Sequence, residues 1–174
     1  MDPILETARL TFCEMTLADL DFIASMLADP EVMRYYPKCY SREEAEGWIR
    51  RQMDRSRSHG HGLWLVLDKT TGQPVGQVGL VLQTVDGVEE PEVGYLIHRP
   101  YWRRGLATEG AAGVRDHAFG TLRKPRVISL IRPENVPSQE VARKLGMREE
   151  KRTMFGGYEH IVFSIVRVDA RGRL

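Results

Sequence analysis

The pattern of hydrophobic and polar positions along the chain predicts its secondary structure before any other property is considered. Alternating positions and short apolar runs are typical of strands, and apolar positions that recur every three or four residues are typical of helices. Strands are predicted at residues 9–15, 63–67, 75–82, 88–98, 126–131, 148–154 and 159–168. Helices are predicted at residues 17–27, 41–55, 107–119 and 135–145. The order β-α-α-β-β-β-α-β-α-β-β predicts an α/β fold of the α+β type, in which a mixed sheet of about seven strands carries helices on both faces.

Local signals refine two of these segments. Ser41 and Glu44 have the spacing of a capping box, so a helix is predicted to begin there. Gly76 and Gly79 fall inside a predicted strand, where glycine is costly. These glycines therefore predict that a neighbouring backbone or aromatic ring approaches this strand closely.

Length, charge and cysteine content narrow the class of protein. The 174 residues fit one domain, residues 1–174, with a single sizeable core. The formal net charge of +1 argues against a surface that grips nucleic acid or membrane, and no apolar run approaches the ~20 residues of a membrane span. Cys13 and Cys39 form no C-x-x-C pair, which argues against a disulfide framework or a zinc site and makes a reducing cytoplasm the expected location.

The stretch from Arg99 to Gly110 joins a predicted buried strand to a predicted helix. A helix that begins near Gly105 presents unpaired backbone N–H groups and a partial positive charge. Gly105 lets a ligand approach the backbone, and Arg103 and Arg104 add positive charge, so the stretch predicts an anion site for a phosphate group. An ordinary strand-to-helix turn with solvated arginines explains the same residues equally well.

Two common phosphate-binding motifs do not match this stretch. Gly105 and Gly110 fit the first half of a P-loop, but Ala111 and Ala112 stand where lysine and serine or threonine are required. A Rossmann fingerprint needs its second glycine at the position of Ala107. A nucleoside triphosphate or a dinucleotide is therefore not the predicted ligand.

The same stretch resembles the acetyl-CoA pyrophosphate loop of the GNAT N-acetyltransferases, which is written Q/R-x-x-G-x-G/A. This chain has Trp102-Arg103-Arg104-Gly105-Leu106-Ala107. Tyr-Trp before the loop and Ala-Thr-Glu after its glycine resemble the RimJ/RimL-type branch, which acetylates the N-termini of ribosomal proteins. Further matches follow in family order over nearly the whole chain, at residues 7–10, 29–35, 76–79, 92–95 and 135–147.

The resemblance implies a GNAT fold, with a mixed, mostly antiparallel sheet that splays between its fourth and fifth predicted strands. It implies acetyl-CoA as cosubstrate, without a metal, with the pantetheine arm in the splay. It also implies a β-bulge near Tyr95, which would turn a backbone N–H toward the thioester carbonyl. The residues implied to bind CoA are Leu96, Ile97 and His98 along the arm, Arg103, Arg104, Gly105, Leu106, Ala107 and Thr108 at the pyrophosphate, and Asn135 and Ser138 closing over the arm.

The implied reaction is attack of a neutral amine on a thioester, which needs a proton acceptor and a donor for the departing thiolate. Glu92 is the candidate base, because a carboxylate that faces a cleft acquires a raised pKa by desolvation. An exposed glutamate at a strand edge, in the acidic run of residues 89–92, is the alternative. Many relatives carry a leaving-group tyrosine where this chain has Ala142, so Ser138 is the predicted substitute, with plain helix capping as its alternative.

Aromatic residues predict the acceptor side of the site. Tyr35 and Tyr36 lie on the connection after the first helix and form a lip over the acceptor, or else plug the end of the core. Trp64 is a third candidate, although its strand position can face either side of the sheet. His59 and His61 lack a third ligand nearby in the sequence, which favours a solvated loop over a metal site. Four arginines between residues 50 and 57 predict a solvated helix face or, alternatively, a surface that recruits an acidic partner.

These features together predict an acetyl-CoA-dependent N-acetyltransferase that acts on a primary amine by direct attack in a ternary complex. The predicted acceptor is the N-terminal α-amine of a protein or peptide, and the predicted assembly is a monomer or homodimer. The alternatives are a small-molecule amine acceptor (an antibiotic, a polyamine or an amino acid) and a non-catalytic acyl-CoA sensor. No nucleic-acid or membrane partner is predicted.

Overall fold

The computed structural model describes residues 3–168 and has eight strands and four α-helices in that part of the chain. The strands are β1 (Leu5–Glu6), β2 (Leu10–Cys13), β3 (Leu63–Asp68), β4 (Pro74–Val85), β5 (Val88–Ile97), β6 (Arg126–Ile131), β7 (Arg148–Phe155) and β8 (Tyr158–Val166). The helices are α1 (Leu20–Ala28), α2 (Arg42–His59), α3 (Leu106–Gly120) and α4 (Val136–Lys144), and 3₁₀ turns at Leu17–Asp19 and Arg99–Tyr101 precede α1 and α3. The predicted order is confirmed. β1 has two residues, too few for a hydrophobic pattern, and was not predicted.

All strands form one sheet in the order β1-β2-β3-β4-β5-β6-β8-β7. β5 and β6 are the one parallel pair within residues 3–168, and the other neighbours are antiparallel. Parallel neighbours need a crossover connection, and α3 supplies it. The predicted mixed, mostly antiparallel sheet is therefore confirmed.

β5 and β6 separate soon after they meet. Their register comprises one pair, Glu92 with Ile128. One residue farther along, Ser129 Oγ donates a hydrogen bond to the Val93 carbonyl O at 2.8 Å in place of a backbone ladder. This is the predicted splay between the fourth and fifth predicted strands. Because β5 leads into α3 and β6 into α4, both helices begin at the open end of the gap.

Helices cover both faces of the sheet, each over its own core. α1 and α2 cover one face and bury residues such as Ile49, and α3 and α4 cover the other and bury residues such as Val114. Side chains of β3 alternate between these cores, with Leu65 in the first and Trp64 and Val66 in the second. The same alternation assigns each side chain of β5 to one face.

Two glycines allow neighbouring strands to approach. A Cβ atom on Gly79 would lie 2.0 Å from the carbonyl O of Gly62, and one on Gly76 would lie 2.4 Å from the carbonyl O of Leu96. No larger residue fits at such distances without a backbone shift. The predicted close approach at this strand is confirmed.

α2 begins at the predicted capping box but ends later than predicted. Glu44 N–H donates to Ser41 Oγ at 3.2 Å, and Ser41 N–H donates to Glu44 Oε2 at 2.9 Å. The helix continues to His59, and Gly60 ends it with a φ of 72°. None of the helices in the described chain, α2 included, is long and apolar enough to cross a membrane.

Candidate active site

One pocket brings together most of the side chains that the sequence predicts for catalysis and acceptor binding. It has a volume of about 410 Å³ and lies at the gap between β5 and β6. α2 and the connection before it line one side, while the start of α4 and the turn between β7 and β8 line the others. The predicted site residues on its wall are Tyr35, Tyr36, Glu92, Leu96, Asn135 and Ser138.

Glu92 is held at the pocket wall by two hydrogen bonds. Its Oε2 accepts from Gln83 Nε2 at 2.8 Å, and its Oε1 accepts from the N–H of Leu130 at 3.3 Å. Burial raises the pKa of the Glu92 carboxyl above its ordinary value, although these hydrogen bonds and the charge of Arg55 oppose the rise. The raised pKa makes this carboxyl a stronger proton acceptor than an exposed glutamate.

The charge on Glu92 also affects Tyr95. Desolvation, with that charge as the second cause, raises the pKa of Tyr95 above its ordinary value. The Tyr95 phenol therefore holds its proton more firmly than an exposed tyrosine. The Tyr95 hydroxyl donates to the carbonyl O of Ser138 at 2.7 Å, which ties β5 to α4 across the gap.

Alternate backbone groups of β5 face the gap. The Val93 and Ile97 carbonyls accept hydrogen bonds on the side away from β4, from Ser129 Oγ at 2.8 Å and from Trp102 Nε1 at 2.6 Å. Tyr95 lies two residues from each of them, so its backbone N–H and C=O point to the same side of β5 and also face the gap. Sequence analysis did not include Tyr95 among the CoA-binding residues.

The three β5 residues implied to bind CoA through their backbones differ in orientation. The backbone groups of Ile97 face the gap, whereas Leu96 and His98 direct their N–H groups to β4. The predicted β-bulge near Tyr95 is wrong, because β4 and β5 keep one register over their whole pairing, from Ile97 back to the hairpin at Val88. The departure of β6 by itself leaves the Tyr95 N–H facing the gap, so a bulge is not needed.

The start of α4 closes one end of the pocket. Asn135 Oδ1 accepts from the N–H of Ser138 at 3.2 Å, so Asn135 is the cap of this helix. Capping does not use the Ser138 hydroxyl, which argues against the capping alternative for this serine. Ala142, at the position of the tyrosine in many relatives, is fully buried in the core.

The predicted anion site lies at the start of α3. Positive φ angles of 60° at Arg103 and 74° at Gly105 turn the chain sharply into the helix. Gly105 is the N-cap, and no side chain of the described residues caps α3. The N–H groups of Leu106, Ala107 and Thr108 therefore lack partners within the helix, which is the arrangement that binds anions at helix starts.

A cluster from the N-terminal part of the chain holds this helix start. Thr7 Oγ1 and Arg9 N–H donate to Glu109 Oε1 at 2.6 and 2.8 Å, and Arg9 Nε donates to Glu109 Oε2 at 2.6 Å. Arg9 Nη1 also donates to the Arg104 carbonyl O at 2.9 Å. Burial alone would raise the pKa of Glu109, but the bonds from Thr7 and Arg9 outweigh it and hold that pKa below its ordinary value. Sequence analysis matched these residues to the family without giving them a role.

The pocket contains two of the three residues that the sequence predicts for acceptor binding. Tyr35 and Tyr36 both line the pocket, and Tyr36 is 43% exposed, so neither is a plug of the core. Trp64 does not line the pocket. It is 2% exposed and packs edge-on against His117 of α3, because its position on β3 faces the α3 side of the sheet. We therefore remove Trp64 from the acceptor site.

Two side chains of α2 line the pocket and were missed by sequence analysis. Trp48 donates from Nε1 to Gln77 Oε1 at 2.8 Å, and Arg55 lies two turns farther along the helix. Trp48 was given no role from the sequence, and Arg55 was predicted only as part of a solvated helix face or of a surface that recruits an acidic partner. The seven-residue spacing between them was the signal that they share a face.

The His59 and His61 pair has no metal-binding geometry. The ring centroids are 6.2 Å apart, and His61 is 2% exposed with its Nδ1 2.8 Å from the carbonyl O of Leu80. The prediction of a solvated loop is wrong for His61, because its ring is buried in the protein. This burial lowers the pKa of the ring. Within residues 3–168, no group of three or more His, Cys, Asp or Glu side chains could hold a metal ion.

Comparison with known proteins gives consistent matches. The GNAT acetyltransferase domain matches residues 9–148. The Bacillus subtilis (strain 168) protein YkkB is 33% identical over 123 residues, which cover 71% of this chain and 72% of YkkB. The structure of an acetyltransferase from Agrobacterium tumefaciens is similar with a TM-score of 0.83, at 26% identity over 96% of each chain.

Two more distant structures share the fold and contain CoA. One is RimL, a ribosomal L7/L12 α-N-protein acetyltransferase, with a TM-score of 0.76 and 12% identity over 95% of this chain and 98% of RimL. The other is the spermidine N-acetyltransferase of Vibrio cholerae with CoA and spermine, with a TM-score of 0.73 and 18% identity over 91% of this chain and 96% of that one. Because the GNAT domain match spans most of the chain and the splayed sheet has the expected form, the chain belongs to the GNAT family of acetyltransferases.

Proposed function

We propose that this protein transfers the acetyl group of acetyl-CoA to a primary amine, the N-terminal α-amine of a protein or peptide. One observation supports this most: a single pocket spans the gap between β5 and β6. On β5 the side chains of Glu92 and Leu96 point to the same face of the sheet, and Leu96 packs against the core under α1 and α2. The Tyr95 side chain points to the opposite face and packs against the core under α3 and α4. An amine and a thioester can therefore approach each other from opposite faces of the sheet.

The residues at the gap fit acetyl-CoA. The uncapped start of α3, with Arg103 and Arg104 beside it, would hold the pyrophosphate. A Cβ atom placed on Gly105 would have Arg9 Nη2 as its nearest neighbour, 3.5 Å away, so the backbone is open to a ligand there. The Tyr95 N–H and C=O would pair with the arm of the cosubstrate, which supplies the acetyl group when bound.

Each side chain at the gap has a separate chemical task in this proposal. Glu92 accepts the proton from the attacking amine, directly or through water, because its pKa is raised by burial. The Tyr95 N–H stabilises the negative charge that develops on the carbonyl oxygen. The Ser138 hydroxyl is placed at the start of α4, where it can donate a hydrogen bond to the departing thiolate.

A peptide acceptor is supported by the mouth of the pocket. Tyr36 and Tyr158 line it and are 43% and 39% exposed, so they offer rigid contact area to a chain that lies across the opening. The loop sequence Trp102-Arg103-Arg104-Gly105-Leu106-Ala107 also resembles that of the RimJ/RimL-type branch. We assign the protein to that branch as part of this proposal.

Two alternatives compete with this acceptor. A pocket of about 410 Å³ can also hold a small amine, and the spermidine N-acetyltransferase shows that the same fold is used for one. A non-catalytic acyl-CoA sensor would use the α3 site without transfer, and Ala142 in place of a tyrosine favours it. The Glu92 environment argues against a sensor, since a buried carboxyl is costly where it has no task.

Release of free CoA thiol from acetyl-CoA, measured with a panel of acceptors, tests the proposal. The panel contains peptides with free N-termini, the same peptides with blocked N-termini, polyamines and amino acids. We expect thiol release with free peptides, and mass spectrometry should locate the acetyl group on the α-amine. Release with polyamines alone would identify a small-molecule enzyme, and CoA binding without any release would identify a sensor.

A further inference from the structure

Arg55 presents a guanidinium group to the pocket without a carboxylate partner. It is half-buried on α2, and its Nη1 donates to Gln52 Oε1 at 3.3 Å. Within residues 3–168 no ion pair joins it to an acidic side chain. Gln52 is 2% exposed and also accepts from the N–H of Leu63, so it fixes Arg55 in place.

An unpaired cation in such a position needs an explanation. Arg126, which is similarly half-buried, lies between the carboxylates of Glu90 and Glu150 at 3.2 and 3.0 Å. Arg55 has lost water to burial, and this desolvation lowers its pKa; the charge of Glu92 opposes the decrease only in part, without an ion pair between the two groups. A guanidinium held this way is suited to bind a carboxylate, because its planar donors match two carboxylate oxygens.

The charges around the pocket complement an amine that also carries a negative group. The charge of Glu92 raises the pKa of Arg55, and the charge of Arg55 lowers that of Glu92. Within the described residues the two groups form no ion pair, so both remain open to a ligand. Arg132 also lines the pocket, but it is paired with Glu134 at 3.5 Å and stacks over Tyr158, with its guanidinium carbon 4.4 Å from the ring centroid. Glu92 is the one acidic side chain among the described residues that line this pocket.

We propose that Arg55 binds a carboxylate of the acceptor, so that the preferred acceptors are primary amines with a nearby carboxylate and not polyamines. A polyamine carries several positive charges and would meet the unpaired guanidinium of Arg55, with Glu92 as the one carboxylate of the lining among the described residues. The carboxylate comes either from an acidic residue next to the N-terminus of a peptide or from the α-carboxylate of an amino acid. This inference rests on the proposed acetyl transfer for its kinetic test but not for its binding test.

The kinetic test compares acceptors that differ in charge alone. Peptides with Asp, Asn or Lys at the second position are paired with free amino acids and their amides, which distinguishes the two sources of the carboxylate. Arg55→Gln should raise the KM of the anionic acceptors about 10- to 100-fold, the usual worth of a hydrogen bond to a charged group. The KM of neutral acceptors and of acetyl-CoA should change less than about twofold, and Arg55→Lys should restore part of the loss.

Arg57→Gln is the matched control, because Arg57 lies on the same helix but is exposed and paired with Asp54 at 3.0 Å. It should leave every KM unchanged. A merely structural role of Arg55 would raise the KM of neutral and anionic acceptors equally. That result, or a preference of the wild-type protein for polyamines, would overturn the inference while leaving acetyl transfer intact.

A binding test separates this inference from the proposed function. Calorimetry with the protein saturated with CoA should show that the Asp-containing peptide binds more tightly than its Asn counterpart, and that Arg55→Gln removes the difference. If this holds without any acetyl transfer, the inference stands and the proposed function fails. Equal binding of the two peptides to the wild-type protein would reject the inference.

Discussion

The Glu92 carboxyl has lost most of its contact with water but still faces the pocket, where a ligand can reach it. Its carboxyl accepts from Gln83 and from the backbone of Leu130, and it also lines the pocket. Hydrogen bonds to the ionised form oppose the rise in its pKa that burial causes. The net result is a raised pKa, so this carboxyl holds a transferred proton more firmly than an exposed glutamate does.

Glu92→Gln should lower kcat/KM on the order of 10²-fold or more, because it keeps the shape of the side chain and removes the proton acceptor. The loss should become smaller as pH rises toward the pKa of the acceptor amine, since more acceptor then arrives deprotonated. The dissociation constant of CoA should not change. Steady-state rates from pH 6 to 9, with calorimetry for CoA, measure all three effects. Near wild-type activity at pH 7 would show that water or another residue takes the proton.

The same substitution should not cost stability. The folded state binds the proton of Glu92 more tightly than the unfolded state, so stability falls as pH rises from the ordinary glutamate pKa of about 4.3 through the raised one. Above that window the ionised carboxyl is a net cost, which Glu92→Gln removes. The melting temperature of the variant at pH 7 should equal or exceed that of the wild type, and the difference should vanish below about pH 4. A large decrease at pH 7 would mean that a structural defect explains any loss of activity.

Single residues differ in how far the sequence predicts them. Glu92 could be placed on the pocket from its strand and from the family motif. Trp64 could not, because an apolar strand that is buried on both faces gives no indication of which core each side chain joins. Arg55 was missed since a long charged side chain on an amphipathic helix is solvated by default, and its pocket forms only when α2 packs against the sheet.

The start of α3 depends on an element far from it in sequence. Arg9 lies 100 residues from Glu109, yet it pairs with this carboxylate and with the Arg104 carbonyl. The pairing matters for anion binding because Glu109 is an acidic side chain in the first turn of the helix. In the proposed complex, Arg9 would neutralise the charge of Glu109, which would otherwise repel the pyrophosphate.

Arg9→Gln should therefore weaken CoA binding about 3- to 10-fold, with little effect on kcat. Adding Glu109→Gln to this variant should restore part of the affinity, because the unpaired negative charge is then absent. Calorimetric CoA titrations of the two single variants and the double variant measure the coupling. Arg57→Gln, which breaks an exposed ion pair on α2, is the control and should bind CoA normally. Independent, additive effects would show that the pair does not act on the anion site.

Elements were predicted well where their signals are local. The capping box at Ser41, the glycines at 76 and 79 and the helix that follows Gly105 are all confirmed, because each depends on a few neighbouring residues. The β-bulge was wrong and the role of Arg9 was missed, because the first depends on how neighbouring strands pair and the second on a contact between segments 100 residues apart. The hydrophobic periodicity of the sequence indicates which face of an element a residue lies on, but not which distant residue it contacts.

The molecule as a whole is a sheet with a weak seam. β1 to β5 form one part and β6 to β8 the other, and the two parts share one registered backbone pair. Side chains add further contacts: Ser129 Oγ donates to the Val93 carbonyl O, the Leu130 N–H donates to Glu92, Arg126 pairs with Glu90, and the Tyr95 hydroxyl reaches α4. α3 and its core span the seam on one face. A ligand in the gap that bound the Tyr95 backbone and the start of α4 would add contacts across the seam.

CoA should consequently stabilise the whole fold. At about 100 times its dissociation constant a ligand adds about 2.7 kcal/mol to the free energy of unfolding, which for a chain of this size raises the melting temperature by about 5 to 11 °C. ATP and NAD at the same concentration should give less. Gly105→Glu should abolish the rise, since it places a negative side chain at the anion site. Gly105→Gln, which has the size of glutamate without its charge, should lose less of the rise and so separates charge repulsion from backbone strain at the φ of 74°. Stabilisation by ATP that exceeds that by CoA would refute the assignment of the α3 start to CoA.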